Sequence, residues 1–218
     1  MKKFFKSLML ISVCLGLSAT VNAKTFRYAT TGDILGLDPH ANNEGPTNTM
    51  KGNIYGRMLH RKADLSLEPD LATKWEKLDA NTWRFSLRRG VKFHNGNDFN
   101  ADDVLFSYKR QTQEASDMSF ALATIKQINK VDDYTVDLIT KGPDPILLLN
   151  MPMFYIVDKE WIEANNAFEV VRASGSTNFA NVNTNGTGPF KVVEWIQDTR
   201  IVLEPFEGYW GKNQIQHN

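Results

Sequence analysis

The sequence predicts a mixed fold of helices and strands, of the α/β or α+β class, and three stretches carry that reading. "TWRFSL", residues 82–87, alternates Trp83, Phe85 and Leu87 with Thr82, Arg84 and Ser86, the period-two pattern of a half-buried strand. "NADDVLFSYKR" opens on Asn100, a favoured N-cap, and puts Asp102 and Asp103 in a first turn, where the helix dipole favours acids. "DDYTVDLIT" alternates again through Tyr134, Val136 and Leu138. The elements follow one another without a regular strand–helix–strand rhythm, so pattern alone leaves both classes open.

Taken in order, Phe26 and Tyr28 alternate with polar neighbours and predict a short first strand, broken between Gly32 and Pro39. A polar, Gly/Pro-punctuated loop follows through "ANNEGPTNT". Met50, Ile54, Tyr55 and Met58 then sit at helical spacing. Asn95-Gly96 is the pair a tight hairpin prefers. In the helix after Asn100, Val104, Leu105 and Tyr108 form the expected buried stripe. "GPDPILLLNMP" reads as a buried helical turn, and residues 163–182 as a loop or short helix. "KVVEWI" and "TRIVLEPF" read as two strands joined at Gln197-Asp198.

"NTNGTGPFKVVEW", residues 183–195, needs its own account. A phosphate-binding loop would carry Lys and Ser/Thr as it enters a helix, but here Pro189, Phe190 and a strand follow the glycines. Gly186 and Gly188 permit positive φ or close approach, and Pro189 fixes the start of the strand, so the stretch is expected to be a turn.

Residues 1–23 carry the pattern of a secretory signal: Lys2, Lys3 and Lys6, then the apolar "LMLISVCLGL", then small side chains ending in Val21 and Ala23. The apolar run is short for a bilayer span, and Val13 before Cys14 is bulky for a lipidation site. The chain holds 25 basic and 25 acidic residues; removal of the signal leaves 22 basic against 25 acidic and no cysteine. A periplasmic mature chain without membrane insertion, held by burial rather than disulfides, is expected. Charge balance speaks against nucleic acid. Loss of Cys14 removes thiol catalysis and iron–sulfur ligation, and no metal motif or cofactor fingerprint appears. Neighbouring Asp102 and Asp103 point in different directions on a helix and do not make a metal pair. His40, His60, His94 and His217 are scattered, and Ser174-Gly175-Ser176 lacks the strand of a nucleophile elbow. The aromatics, including Trp75, Trp83, Trp161, Trp195 and Trp210, are expected in the core.

An ordered set of stretches carries a resemblance: "LDPH", "LEPDLATKWE", "NTWRFSLRRGVKFHNGNDFNADDVLFSYKR", "VDDYTVDLIT", "GTGPFKVVEW" and "RIVLEPFEGYWG". Together they resemble the family 5 extracellular solute-binding proteins of ABC importers, the dipeptide-, oligopeptide- and nickel-binding group. The resemblance implies an α/β, type II periplasmic-binding-protein-like fold. It further implies a first lobe from residues 24–56, an inserted small subdomain over 57–182 and a return to the first lobe over 183–218. The second lobe is missing, so the chain is expected to be an N-terminal fragment, or else a truncated paralogue.

The resemblance implies that the loop after "LDPH" pairs with ligand backbone as an extended edge, which maps onto Asn43, Glu44, Gly45 and Pro46. Thr30, Thr31 and Gly32 would face the same cleft, and Phe120 would add an apolar wall. One departure stands out, Gly56-Arg57 where relatives often carry an acid and a glycine. The implied role is a non-enzymatic, monomeric receptor passing a small solute, a peptide first of all, to an ABC permease. Opines, sugars, glutathione and nickel chelates remain open as ligands. The alternatives are a truncated protein that docks on a permease without solute, and a periplasmic hydrolase.

Overall fold

A four-stranded antiparallel sheet in the order β3-β4-β6-β5 organises the middle of the chain, in a computed structural model that describes residues 26–27, 29–30, 32–172 and 177–211. Its strands are β3 (Ala72–Lys77), β4 (Thr82–Leu87), β5 (Ile125–Asp132) and β6 (Thr135–Thr140). The alternation of β4 and β6 sets the register: Trp83 lies opposite Leu138 and Phe85 opposite Val136, so apolar side chains share one face. On the other face Arg84 and Asp137 form a bidentate pair with both bonds at 2.8 Å. Before this sheet come α1 (Gly45–Ile54) and a small ribbon of β1 (Leu59–Arg61) and β2 (Leu67–Pro69).

The helix α2 (Ala101–Gln111) starts where its sequence predicts. Asn100 accepts from Asp102 N at 2.7 Å, and Asp103 reaches back to Asn100 N at 2.9 Å, a complete capping box. Val104 packs into the sheet's core with Phe85, Phe93, Phe99, Val136, Leu138 and Phe154, and Leu105 and Tyr108 flank it. The Asn95-Gly96 turn closes between Phe93 and Asn97, with Gly96 at φ +96°. "GPDPILLLNMP" forms the short α3 (Leu147–Asn150) and a 3-10 turn at Met151–Met153, and two further short helices follow, α4 (Lys159–Ala164) and α5 (Phe179–Val182).

A second apolar cluster joins distant parts of the chain. Ile34, Leu37, Met50, Ile54 and Tyr55 pack with Phe106 and Met118, with Val157, Ile162, Ala167 and Ala180, and with one face of the last ribbon. That ribbon pairs β7 (Phe190–Ile196) with β8 (Arg200–Pro205) and turns at Asp198, φ +57°. The turn before β7 is held against the C-terminal end of α1. Gly188 N donates to Ile54 O at 2.8 Å, and a Cβ on Gly186 would lie 2.0 Å from that same oxygen. Close backbone approach, not positive φ, is what these two glycines supply.

Two local expectations are corrected. Phe26 is exposed and lies in no strand, and Tyr28 lies outside the described residues. The first helix begins five residues earlier than its apolar spacing implied and ends at Ile54, so Tyr55 and Met58 are buried beyond it. Pro46 in its first turn explains the shift: proline's fixed φ favours a helix start although it reads as loop punctuation.

Candidate functional site

The loop after "LDPH" is fixed from beneath by a buried ionic network. Asp38 and Arg110 are both fully buried and bond in a bidentate fork, Nη1 to Oδ1 at 2.8 Å and Nη2 to Oδ2 at 2.6 Å. Arg110 also donates to Ala167 O through Nε and Nη2, at 3.1 and 3.0 Å. His40 completes the set, with Nε2 at 3.0 Å from Tyr155 O and Nδ1 at 3.1 Å from Arg110 Nη1. Arginine can only donate, so Nδ1 accepts and Nε2–H faces the carbonyl. Burial first, then the Arg110 charge, pushes His40 down to about 3, so the ring is neutral. Burial works against ionised Asp38, but the Arg110 guanidinium, its hydrogen bonds and His40 outweigh it and hold the carboxyl below its usual range.

Above this network the chain turns outward. Asn43 and Gly45 are exposed, and Glu44 has extended backbone at φ −140° and ψ 162°. Its carboxylate accepts Thr47 N at 3.2 and 3.1 Å and so caps α1. Gly45 and Pro46 are therefore the first residues of the helix. The expectation of an extended edge through both is corrected: the Glu44 cap and Pro46 bend the chain into a helical turn after Glu44. Lys51, 1% exposed on the inner face of α1, reaches back under the loop to Asn42 O and to Asn48 Oδ1, the latter at 3.3 Å. Burial, opposed by Asp38, Glu44 and Asp117, lowers its ammonium to about 8. Asn48 Nδ2 in turn donates to Asn43 Oδ1 at 2.7 Å.

The other expected residues fall as follows. Thr30 and Gly32 are exposed and bond to each other, Gly32 N donating to Thr30 Oγ1 at 3.3 Å. Thr31 lies outside the described residues. Phe120, 50% exposed, sits on the 3-10 turn Ser119–Leu122. That segment is tied to the loop by Ser116 Oγ donating to His40 O at 2.7 Å and Asp117 N to Ala41 O at 3.2 Å. The structure thus joins the Phe120 segment to the base of the Asn43–Pro46 loop, while among the described residues no hydrogen bond links Thr30 or Gly32 to either.

At the opposite end of α1 a cavity of about 240 Å³ is lined by Arg57, His60, Asp70, Tyr209 and Trp210 among others. Arg57, the departure in the sequence, meets His60 Nδ1 through Nη2 at 2.9 Å and donates its backbone N–H to Asp70 Oδ2 at 3.2 Å. Burial raises Asp70 to about 6 against the Arg57 charge. A separate cluster brings Asp103, Asp158 and Glu160 within 4.8 Å. Its oxygens already accept protein donors: Asp103 takes Asn100 N and Lys159 N, and Asp158 Oδ2 takes the amides of Asn95, Asn97 and Asn185 at 2.7–2.8 Å. Asp102 points away, to Lys130 at 3.0 Å, as neighbours on a helix must.

The roles of Lys51, Asn48 and Arg110 were not read from the sequence. A signal for Arg110 exists: Asp103, Ser107, Arg110 and Gln111 form a polar stripe at helical spacing, which reads as a solvated face yet is buried.

A family model described as bacterial extracellular solute-binding proteins, family 5 Middle, matches residues 66–217. The dipeptide-binding protein of Escherichia coli (strain K12) is 32% identical over 93% of this chain and 42% of its own. Heme-binding protein A of Haemophilus influenzae is 32% identical over 85% of this chain and 37% of its own. The chain thus spans about two fifths of the length of these curated relatives. Among solved structures, the ABC transporter-associated periplasmic binding protein DppA of Helicobacter pylori, in complex with the peptide STSA, superposes with a TM-score of 0.70. It is 30% identical, over 83% of this chain and 38% of that one. The fold is accordingly α/β and type II periplasmic-binding-protein-like, with a first-lobe portion present, and the chain belongs to the family 5 bacterial extracellular solute-binding proteins.

Proposed function

We propose that this chain forms part of a periplasmic receptor that binds peptides or a similar small solute and delivers it to an ABC importer. The observation that carries the reading is the loop of residues 40–46. Buried groups hold it from beneath, yet Asn43 and Gly45 remain exposed at its crest, and Glu44 N-terminal to the helix keeps extended backbone. A rigid rim with exposed polar residues costs little to order when a ligand binds. Phe120, exposed on a segment bonded to the loop's base, supplies an apolar neighbour.

The residue roles follow from that reading: Asn43, Glu44 and Gly45 offer polar contacts, Pro46 shapes the rim and Phe120 gives a wall. Thr30, Thr31 and Gly32 would be outer contacts. The division into residues 24–56, 57–182 and 183–218 is part of the same proposal. The buried residues of the sheet's core all fall within 58–156, with Trp210 packed against them, which supports it. Residues 157, 162, 167 and 180 pack instead with the first segment, so the two units share a broad seam. The family is one of binding proteins, and no turnover is expected. Among the described residues no helix is long and apolar enough to cross a membrane.

The test is thermal unfolding of the full-length protein with dipeptides, tripeptides, haem and a nickel–histidine complex, each at millimolar concentration or at its solubility limit. Peptide is expected to raise Tm, as any ligand confined to the native state must. A rise with haem or nickel–histidine but not with peptide would overturn the peptide reading. Release of amino acids during incubation would overturn the non-enzymatic one.

A further inference from the structure

We propose that Lys51 is a positioning residue for the solute site: through Asn48 it orients Asn43 so that the group Asn43 offers to the ligand is a hydrogen-bond donor. The inference deepens the reading of residues 43–46 as a binding rim and rests on it.

The argument is one of proton direction. A lysine side chain donates and cannot accept when charged, whereas an asparagine amide has an accepting oxygen and a donating nitrogen. Lys51 Nζ meets two oxygens, Asn42 O and Asn48 Oδ1. Asn48 must therefore turn its oxygen toward Lys51 and its N–H2 away. That N–H2 donates to Asn43 Oδ1 at 2.7 Å. With its oxygen turned toward Asn48, Asn43 presents its own N–H2 outward, and Asn43 is exposed at the crest of the loop. Every link is set by the one before, and the first cannot reverse.

Lys51 is also held in place. It is 1% exposed, its Nζ lies 5.9 Å from the Tyr155 ring centroid, and Asp38, Glu44 and Asp117 all act on its charge. A buried amine is costly unless its donors are used, and here they are spent on the backbone just before Asn43 and on the side chain that orients Asn43. The chemical consequence is a ligand class: the atom that meets Asn43 is an acceptor, a peptide carbonyl or a carboxylate oxygen, and not an ammonium.

The relay is read without ligand by following the Asn48 side-chain amide resonances of the 15N-labelled full-length protein in the parent and in Lys51→Met. In the parent the two amide protons are expected well separated in shift, one of them held against Asn43; in Lys51→Met they move toward free-asparagine values. Binding is read by calorimetry with tri-alanine. Lys51→Met and Asn43→Ala are each expected to weaken it about tenfold, the worth of one lost hydrogen bond, and the double variant no further. Asn43→Asp, which replaces the donor by an acceptor, is expected to weaken it at least as much.

If Lys51→Met does not fold, Asn48→Leu breaks the same relay at a half-buried position and is read in binding alone. Unchanged Asn48 resonances in Lys51→Met, or additive losses in the double variant, would overturn the proposal. So would tighter binding by Asn43→Asp. If Asn43→Ala binds tri-alanine as the parent does, the rim reading falls and the proposal with it. If the parent does not bind tri-alanine, the peptide reading falls, while the resonances still decide the relay.

Discussion

Replacing Arg110 by methionine removes the guanidinium from a fully buried site and leaves the Asp38 carboxylate without its counter-charge. Asp38 would lose two short bonds, Ala167 O two donors and His40 Nδ1 one. Breaking one side of a buried pair costs about 3–5 kcal/mol, because the other charge stays buried and uncompensated. Against a total of about 5–15 kcal/mol for a folded chain, that is about a fifth of the stability or more. The loss also has a pH signature. In the parent, the Asp38 carboxyl is held below its ordinary value, so it stabilises above that value and the gain is lost as pH falls through its folded pKa. Without Arg110 the burial that now opposes ionisation dominates, the carboxyl rises, and the penalty is relieved as pH falls toward 4. Urea unfolding at pH 7.5 and pH 5 is the assay: the gap between variant and parent should narrow at the lower pH. The double variant Asp38→Leu, Arg110→Met should recover most of the loss. A deficit under about 1 kcal/mol, or one that does not change with pH, would refute the reasoning.

Three further outcomes follow from features of the fold. Gly186→Ala would press a Cβ into Ile54 O, 2.0 Å away, so a loss of about 2–4 kcal/mol is expected in denaturant unfolding. Asn100→Ala removes the cap of α2 and should cost about 1 kcal/mol with little change in the urea slope. Asp103 is pushed up to about 7 by burial, against the N–H groups of Lys159 and Asn100, so its ionised form is strained at neutral pH. A carboxyl raised in the folded state costs stability above its folded value and is relieved as pH falls. Tm should therefore gain from this group between pH 8 and pH 5, and Asp103→Asn should flatten that part of the profile.

What was legible in the sequence was what neighbours in sequence decide. The N-cap at Asn100 and the alternation of β4 and β6 are local patterns, and the structure carries both. The strands β3 and β5 were not read, because register shifts at Ala72/Lys74, Ile125/Gln127 and Lys130/Asp132 break their alternation. The start of α1 was misplaced because Gly-Pro punctuates loops as readily as it opens helices. Arg110 escapes sequence reading for a different reason. A buried cation is recognisable only from its partners, and those of Arg110 lie at Asp38, His40 and Ala167, far along the chain. The alternative offered by Gly186 and Gly188, positive φ or close approach, was visible; only the fold could decide between them.

The bond from Gly188 to Ile54 also sets an order of assembly. It closes a loop of roughly 130 residues, and the entropy of closure grows with loop length. Until that loop closes Ile54 O lacks the Gly188 N–H, whereas the hairpins β3–β4 and β5–β6 each pair strands that are near neighbours in sequence. The sheet's core can therefore assemble from shorter-range pairings first, and closure of the long loop comes afterwards, as its entropy demands. The seam between α1 and the last ribbon thus forms later than the pairings within the sheet.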